Sequence, residues 1–488
     1  IKHIFLFVIL TFWIISATAQ VPDRRKDPFP TEEAWYIFPA PFSAPGLGSG
    51  VFLAGLWSNI AESHSDMFVG ILKGDFDASF AGLLDNHLID ETLILDFTGG
   101  VINKAIVTSY QGRGFDTDPN NYKTFKVGDG DGTGGRIMLT FWERRLNAFV
   151  TQFTQSSRLK GVYEADGTLI YEPESAPKAK IGMLSQGLLF DFTDDWGDPR
   201  EGLKISHNQN RFIGLNSDGS SPEQFTIDQN VTAYLPMGKQ STWVFNVFQS
   251  KAVVTKQGMT DKEKLRALLY GKIDCSLTAD PIKCESTIDQ QLDDTIAANR
   301  YGTASGLGGV SRLRAFPQGR FKGARTRFIG TEFRWNLTDE SVPFNFYLIK
   351  DVRTSLQIAF FYERATIAET AQDLGNAWRS STGTGFRMIT ASGMVFRIDV
   401  AKGEEAEFQI IEFNKEFKKV VASHMTIHRE EEAKIVKQAV KKAEAHRFTV
   451  LGMMARRASG YEGAVLLAFD QIIQCESAGP GRPERSIQ

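Results

Sequence analysis

The stretch 225–235, FTIDQNVTAYL, shows the alternation of side chains that decides the fold. One face carries Phe225, Ile227, Val231, Ala233 and Leu235, and the other carries Thr226, Asp228, Asn230 and Thr232. A period of two residues is that of a β-strand with one apolar face. Similar alternation starts at Trp243, Leu356 and Phe396. The apolar face points inward in a soluble sandwich and towards lipid in an outer-membrane barrel, so the period alone leaves both folds open.

Three further features favour the barrel. Aromatic residues lie near predicted strand ends, as in the interfacial girdles of membrane barrels: Trp335, Tyr362, Phe413 and Phe417. The polar faces carry Asp, Glu and Arg, whose burial in a dry core would be costly. The connections alternate between short ones, at 237–240 and 391–393, and a long one at 256–321, which is typical of transmembrane barrels.

The alternating segments predict an all-β fold, a sixteen-stranded antiparallel transmembrane β-barrel. From the C-terminal side, the predicted strands are 407–417, 394–402, 383–390, 353–364, 324–337, 241–254, 223–236, 203–213, 180–192, 158–171, 146–155, 134–142, 102–112, 91–99, 66–76 and 50–58. An even number of strands allows antiparallel closure. The glycine-rich segment 128–135 is predicted to be a flexible loop, because its acidic residues lack the spacing of an EF-hand.

Composition and the N-terminal residues indicate a secreted chain. The 488 residues carry 55 Lys and Arg against 58 Asp and Glu, a net charge of -3 that argues against nucleic acid as a partner. Lys2 and His3 precede the apolar run 4–15, and an Ala-x-Ala site follows. This pattern predicts a signal peptide cleaved after Ala19. Twelve residues span only about 18 Å as a helix, too little for a bilayer core of about 30 Å.

The predicted organisation has four parts. Residues 1–19 form the signal peptide, 20–49 a short periplasmic segment, 50–417 the barrel, and 418–488 a helical and disordered C-terminal extension. Within the extension, residues 429–448 have the charge order of a helix, acidic first and basic last. Whether this extension has a function stays open.

Three motifs resemble those of the bacterial surface antigen family, which includes BamA, TamA and two-partner-secretion transporters such as FhaC. Residues 313–321, LRAFPQGRF, resemble the Val/Leu-Arg-Gly-Phe/Tyr signature of a long extracellular loop that folds back into the barrel. Ala315 replaces the expected glycine. Residues 191–202 resemble an Asp-rich periplasmic turn of this family. Residues 408–417, with Phe408, Phe413 and Phe417, resemble its closing strand.

The resemblance gives Leu313, Arg314, Ala315 and Phe316 a role in locking the loop. Alternation places Glu332, Glu363 and Asp399 on the polar, lumen-facing side of later strands, where a guanidinium could form a forked pair with a carboxylate. The family analogy favours Asp399 or Glu363 as the partner of Arg314. A solvated arginine on the loop is the alternative that remains open.

The resemblance implies a barrel in the bacterial outer membrane, acting in the transport or assembly of protein or lipid components. Its implied partners are outer-membrane lipids, an unknown client protein or lipid, and the barrel-assembly machinery for its own insertion. The short stretch before the first predicted strand leaves no room for POTRA domains, so the POTRA-less branch is expected. A passive porin-like channel is the alternative.

An outer-membrane lipase is disfavoured, and no enzymatic activity, cofactor or metal is expected. The chain has no Gly-x-Ser-x-Gly elbow. His64, His87 and His207 are scattered in the sequence without a pairing to a serine.

Two cysteines allow a disulfide. Cys275 and Cys284 lie in the long loop that strand parity places outside the cell, an oxidising setting. A disulfide between them is predicted, with two free thiols as the alternative; Cys475 would stay reduced.

Overall fold

The structure is a computed structural model that describes residues 33–44, 48–172, 178–196, 198–213, 220–271, 275–277, 281–338, 344–346, 349–352, 354–390 and 395–405. The strands are β1 Ala34–Ala44, β2 Gly48–Ser58, β3 Asp66–Gly74, β4 Asp77–Ile89, β5 Leu93–Tyr110, β6 Tyr122–Phe141, β7 Leu146–Tyr163, β8 Leu169–Tyr171, β9 Lys178–Thr193, β10 Gly202–Ile213, β11 Glu223–Pro236, β12 Ser241–Lys256, β13 Arg325–Asn336, β14 Phe344–Phe346, β15 Ile349–Val352, β16 Thr354–Ala368, β17 Arg379–Thr390 and β18 Val395–Gly403. Between β12 and β13 lie two helices, α1 Lys262–Tyr270 and α2 Pro281–Tyr301.

All eighteen described strands belong to one antiparallel sheet, so the predicted all-β fold is confirmed. The long strands follow a meander, with β13 paired directly to β16 and the short β14–β15 hairpin between them in sequence. That hairpin reaches the first strand, where Trp35 pairs with Lys350. Fifteen of the described strands have nine residues or more. The last predicted strand, 407–417, lies outside the described residues, so a total of sixteen long strands and the closure of the barrel stay predictions.

The two faces of the sheet have the reverse polarity of a soluble sandwich. On β12 the apolar Phe245 and Val247 are 39% and 48% exposed, whereas Thr242 is 1% exposed on the other face. The pattern repeats on β16, where Phe360 is exposed and Glu363 is buried. Polar side chains therefore share the interior, and the predicted alternation is confirmed on these strands. In the described part of the chain, neither helix has the length and apolar character that a membrane span would need.

The segment 128–135 was predicted to be a flexible loop, and this prediction is wrong. The segment is the middle of β6. It pairs with β5, where Gly100 lies opposite Gly132, and with β7 through a bulge between Gly128 and Asp131. A side chain on Gly130 would approach the carbonyl oxygen of Ser156 to 2.9 Å. Close packing of neighbouring strands thus overrides the low strand propensity of glycine.

Several predicted strand boundaries in the N-terminal half are wrong. The predicted strands 91–99 and 102–112 are one strand, β5, and β7 spans 146–155 together with the first part of 158–171. Strands β1 and β4 were missed. Since β1 pairs with β2 from Ala34 to Ala44, the sheet begins inside the segment 20–49 predicted to precede it. Pro39 and Pro41 are two positions apart, so both missing N–H groups face one edge and the ladder with β2 is kept.

Candidate functional site

Residues 302–324, here called the plug loop, lead from α2 to β13 and lie against the polar face of the sheet. Leu307, Leu313, Phe316 and Phe321 of this loop are at most 1% exposed. They form one apolar cluster with strand residues that include Phe248, Phe328, Phe361, Ile367 and Ala401. The plug loop is therefore packed closely against the polar face of the sheet.

Arg314 lies at the centre of this contact and meets all three carboxylates proposed from the sequence. Its Nε donates to Glu363 Oε1 at 2.7 Å, and its backbone N–H donates to Glu363 Oε2 at 2.8 Å. One terminal nitrogen donates to Asp399 Oδ2 at 3.0 Å and to Glu332 Oε2 at 3.1 Å. The guanidinium also stacks 3.4 Å from the ring centroid of Phe361. The structure thus shows a buried arginine shared by three strands, and not a solvated one.

The pairing of the strands explains why the three carboxylates converge. Strands β13, β16, β17 and β18 are consecutive neighbours. Glu332 lies opposite Phe361 in the β13–β16 ladder, so Glu363 is one alternate position away on the same face. Asp399 faces Gly385 on β17, where a side chain would come within 2.1 Å of Asp399 Oδ1. The glycine leaves the space that the Asp399 carboxylate occupies.

The charge of Arg314 is maintained by its partners. Burial by itself would lower the pKa of the guanidinium, but the negative charges of Glu363, Asp399 and Glu332 raise its pKa above the ordinary value. The arginine therefore stays protonated at any pH that the protein experiences. Its forked donors reach two carboxylates, of Glu363 and Asp399, that are almost completely buried, which a lysine could not do with the same geometry.

The turn around Arg314 is tight without a glycine at position 315. The left-handed backbone conformation is adopted by Leu313, with φ of 54°. The N–H of Ala315 donates to Ser381 Oγ at 3.0 Å. Ala315 fits because Gly403 on β18 lies opposite it: a side chain at 403 would come within 2.9 Å of Ala315 Cβ.

A chain of ion pairs runs from Arg314 to the opposite end of the sheet. Glu332 also accepts from Arg334 at 2.7 Å and from Arg387 at 2.5 Å. Arg334 in turn contacts Asp198 at 3.3 Å, in the turn 194–201 between β9 and β10. Sequence reasoning missed Arg334 and Arg387, although Arg334 lies two positions after Glu332 and so shares its face.

Two further arginines attach the plug loop and its surroundings. Arg320 donates to both oxygens of Glu405, each at 2.7 Å, and to Thr117 in the β5–β6 connection. Arg113 in that connection donates to Glu369 at 2.5 and 2.8 Å and to the carbonyl oxygen of Gly302 at 2.7 Å. These contacts join the plug loop to connections that are far apart in sequence, which no local pattern predicts.

The helices α1 and α2 form a small unit beside the plug loop. Cys275 and Cys284 form a disulfide with a Cα–Cα distance of 5.6 Å, next to an apolar cluster that includes Leu265 and Leu292. The Gly112 N–H donates to Asp294 on α2 at 2.7 Å. Burial of Asp294 raises the pKa of its carboxyl group. Asn299, near the other end of α2, donates to the carbonyl oxygen of Ser220 at 2.7 Å, so α2 bridges two distant connections.

The remaining predicted residues divide into two groups. Phe408, Phe413 and Phe417 lie outside the described residues. His64 and His87, which the sequence separates, are neighbours: their ring centroids are 5.0 Å apart. Although the two histidines are far apart in the sequence, the meander brings the β2–β3 connection next to the end of β4.

Comparison with known proteins shows similarity to several barrels of solved structure. No family model and no curated protein matches the chain. BamA from Haemophilus ducreyi lacking POTRA domains 1–3 matches with a TM-score of 0.39 and 10% identity, over 78% of this chain and 68% of that chain. CdiB from Escherichia coli matches with a TM-score of 0.42 and 11% identity, over 79% of this chain and 60% of that chain. CdiB from Acinetobacter baumannii matches with a TM-score of 0.40 and 10% identity, over 76% of this chain and 56% of that chain.

The chain thus spans less than two thirds of the length of the two CdiB proteins. The resemblance to BamA-type barrels predicted from the sequence is found again among these structures.

Proposed function

We propose that this chain is an outer-membrane β-barrel of the BamA type that is closed at rest by its plug loop and transports or assembles a protein or lipid component. The observation that carries the proposal is the contact of Arg314 with Glu332, Glu363 and Asp399. A buried cation on a loop, matched by carboxylates from three strands, holds that loop in one position.

The distribution of polarity supports the membrane part of the proposal. The outward face carries large apolar residues, among them Phe97, Ile137, Phe192, Val247 and Phe360, each at least 48% exposed. A belt of this kind is costly in water and stable against acyl chains. The buried face is polar and ionic, which suits a hydrated interior.

The plug loop and helices favour a gated barrel over a passive channel. Buried apolar residues and a charged network both hold the loop against the interior face. A passive porin needs a permanently open water path, and a loop so placed would narrow it. The proposed role requires no catalysis, since binding and movement of the loop would suffice to admit a client.

Two measurements test the proposal on the full chain. The mature protein should sediment with the outer membrane and migrate faster on a denaturing gel before heating than after it. Recovery in the soluble periplasmic fraction, with mobility independent of heating, would refute a barrel.

The second measurement is single-channel conductance in planar bilayers. The native chain should show small, intermittent openings, and a variant lacking 307–321 should show a large steady pore. A variant lacking 371–377, a mostly exposed part of the β16–β17 connection, serves as the control and should behave like the native chain. A large steady conductance of the native chain would favour the porin-like alternative.

A further inference from the structure

His64, His87 and Asp90 lie together at the end of the sheet opposite the plug loop. His64 belongs to the connection between β2 and β3, His87 lies near the end of β4, and Asp90 begins the turn to β5. These connections are at the same end because β2 to β5 are consecutive antiparallel strands. The arrangement is independent of the ion network around Arg314.

Hydrogen bonds fix the position of the His64 backbone. Asp66 Oδ1 accepts from Ser58 Oγ at 2.7 Å and from the Asn59 N–H at 2.9 Å. The His64 N–H donates to Asn59 Oδ1 at 2.9 Å. His64 itself has a φ of 61°, in the left-handed region that is uncommon for non-glycine residues, although histidine is among those that adopt it more readily. The imidazole of His64 is thereby directed to the side on which His87 lies.

We propose that His64, His87 and Asp90 bind one divalent transition metal ion of the zinc class. One ligand atom from each residue lies within 4.8 Å of the other two. His87 Nδ1 and Asp90 Oδ1 are 3.3 Å apart, close to the edge of about 3.4 Å of a tetrahedron with bonds near 2.1 Å. Rotation of the exposed Asp90 and the half-buried His64 would bring in the third ligand.

The donor set selects the class of ion. Two imidazoles and one carboxylate suit zinc and neighbouring first-row metals, whereas calcium and magnesium prefer oxygen ligands. Three protein ligands leave a fourth position for water. Binding through His87 Nδ1 would replace the hydrogen bond that this atom now accepts from the Glu91 N–H at 3.1 Å.

A bound ion would link the β2–β3 connection to the β4–β5 turn, which are neighbours in the fold. The β2–β3 connection and the β4–β5 turn would then be cross-linked through their side chains. Exchange of backbone amides in 59–65 and 85–92 should therefore slow when the ion binds. This consequence distinguishes an organised site from loose adsorption of metal to a surface histidine.

The test uses the full chain in detergent, with Zn²⁺ as the probe and calorimetry as the readout. His424, His428 and His446 lie outside the described residues and could also bind Zn²⁺, so all variants carry alanine at these three positions. This background protein should bind one Zn²⁺. His64→Ala and Asp90→Asn should each weaken binding at least about tenfold, since loss of a direct ligand should exceed the 10- to 100-fold effect of losing an outer-shell group.

His207→Ala is the matched control, because His207 is an exposed histidine on β10. It should leave Zn²⁺ affinity unchanged. Faster gel mobility before heating shows that each variant is folded. Absence of a Zn²⁺ site in the folded background protein would overturn the proposal, as would equal weakening by His207→Ala and His64→Ala. Zn²⁺ binding without slower exchange in 59–65 would also overturn it. None of these outcomes depends on the proposed transport role.

Discussion

Replacement of Arg314 by alanine separates two ways of holding the plug loop. Glu332 would keep Arg334 and Arg387 as partners, and Asp399 would keep Arg397 at 3.0 Å. Glu363 is different. Among the residues that the structure describes, Arg314 is the one cation in contact with Glu363, whose side chain is 3% exposed. Arg314→Ala therefore leaves a buried carboxylate without a counter-charge.

The size of the effect follows from that orphaned charge. Removing one member of a buried pair costs about 3–5 kcal/mol, which corresponds to a factor of about 10² to 10³ or more in the equilibrium between closed and open loop. Burial of Leu313, Phe316 and Phe321 opposes opening with about 1.5–3 kcal/mol for each side chain. The apolar contribution is thus as large as the ionic one or larger. We expect Arg314→Ala to loosen the loop without expelling it.

Hydrogen exchange of the amides in 307–321 measures this equilibrium directly. Exchange in Arg314→Ala should be about a hundredfold faster or more, and exchange in the strands should not change. Arg327→Ala, which removes an exposed arginine on β13, should match the native chain. A steady rise in conductance is expected for Arg314→Ala combined with Phe316→Ala and not for Arg314→Ala alone, because the double variant loses the ion pairs together with part of the apolar contact.

Removal of the orphaned charge provides the sharper comparison. Arg314→Ala with Glu363→Ala should exchange more slowly than Arg314→Ala alone, since no buried charge remains unpaired. Native-like exchange in Arg314→Ala would refute the reasoning. So would a double variant that exchanges as fast as the single one, because the cost would then not reside in Glu363.

Three further outcomes test other parts of the structure. Cys275→Ser with Cys284→Ser should lower the local stability of α1 and α2 by about 2–3 kcal/mol, since a short closed loop is released; unchanged hydrogen exchange there would contradict it. Because burial raises the pKa of Asp294, docking of α2 should be strongest below the ordinary pKa of a carboxyl group. It should weaken as pH rises through the raised value, and Asp294→Asn should abolish this dependence in exchange corrected for intrinsic rates. Gly403→Val should displace Ala315 and accelerate exchange in 307–321, whereas a native rate would show that β18 can yield.

The sequence predicted the faces of the strands better than their limits. Alternation at 225–235 and 243–247 identified which side chains are buried, because the period of two is a property of the strand itself. The predicted strand boundaries in the N-terminal half are wrong because β6 contains several glycines and β1 contains prolines, residues that have low strand propensity. The pairing of these strands is set by their neighbours in the sheet. Two predicted pairs of strands are single strands, whereas two long strands, β1 and β4, were missed together with the short β14 and β15. The predicted total of sixteen therefore rested partly on errors that cancel.

The residues around Arg314 were predictable as a set, but their geometry was not. Alternation places Glu332, Glu363 and Asp399 on one face, yet only the registers of β13, β16 and β18 bring them within reach of one guanidinium. The family analogy favoured a single carboxylate, whereas the structure shares the arginine among three. Arg334 extends the network, because it contacts both Glu332 and Asp198.

Ala315 shows that the small residue required at this contact need not be the glycine of the motif. The signature expects glycine there, which suggests that the site requires a small side chain at one position. In this chain the space is supplied from the opposite strand, since Gly403 lies where a side chain would come within 3.0 Å of both Ala315 and Phe316. The steric requirement belongs to the contact between the plug loop and β18. A departure from the motif on one side can therefore be offset by a glycine on the other, and the buried position of Arg314 is preserved.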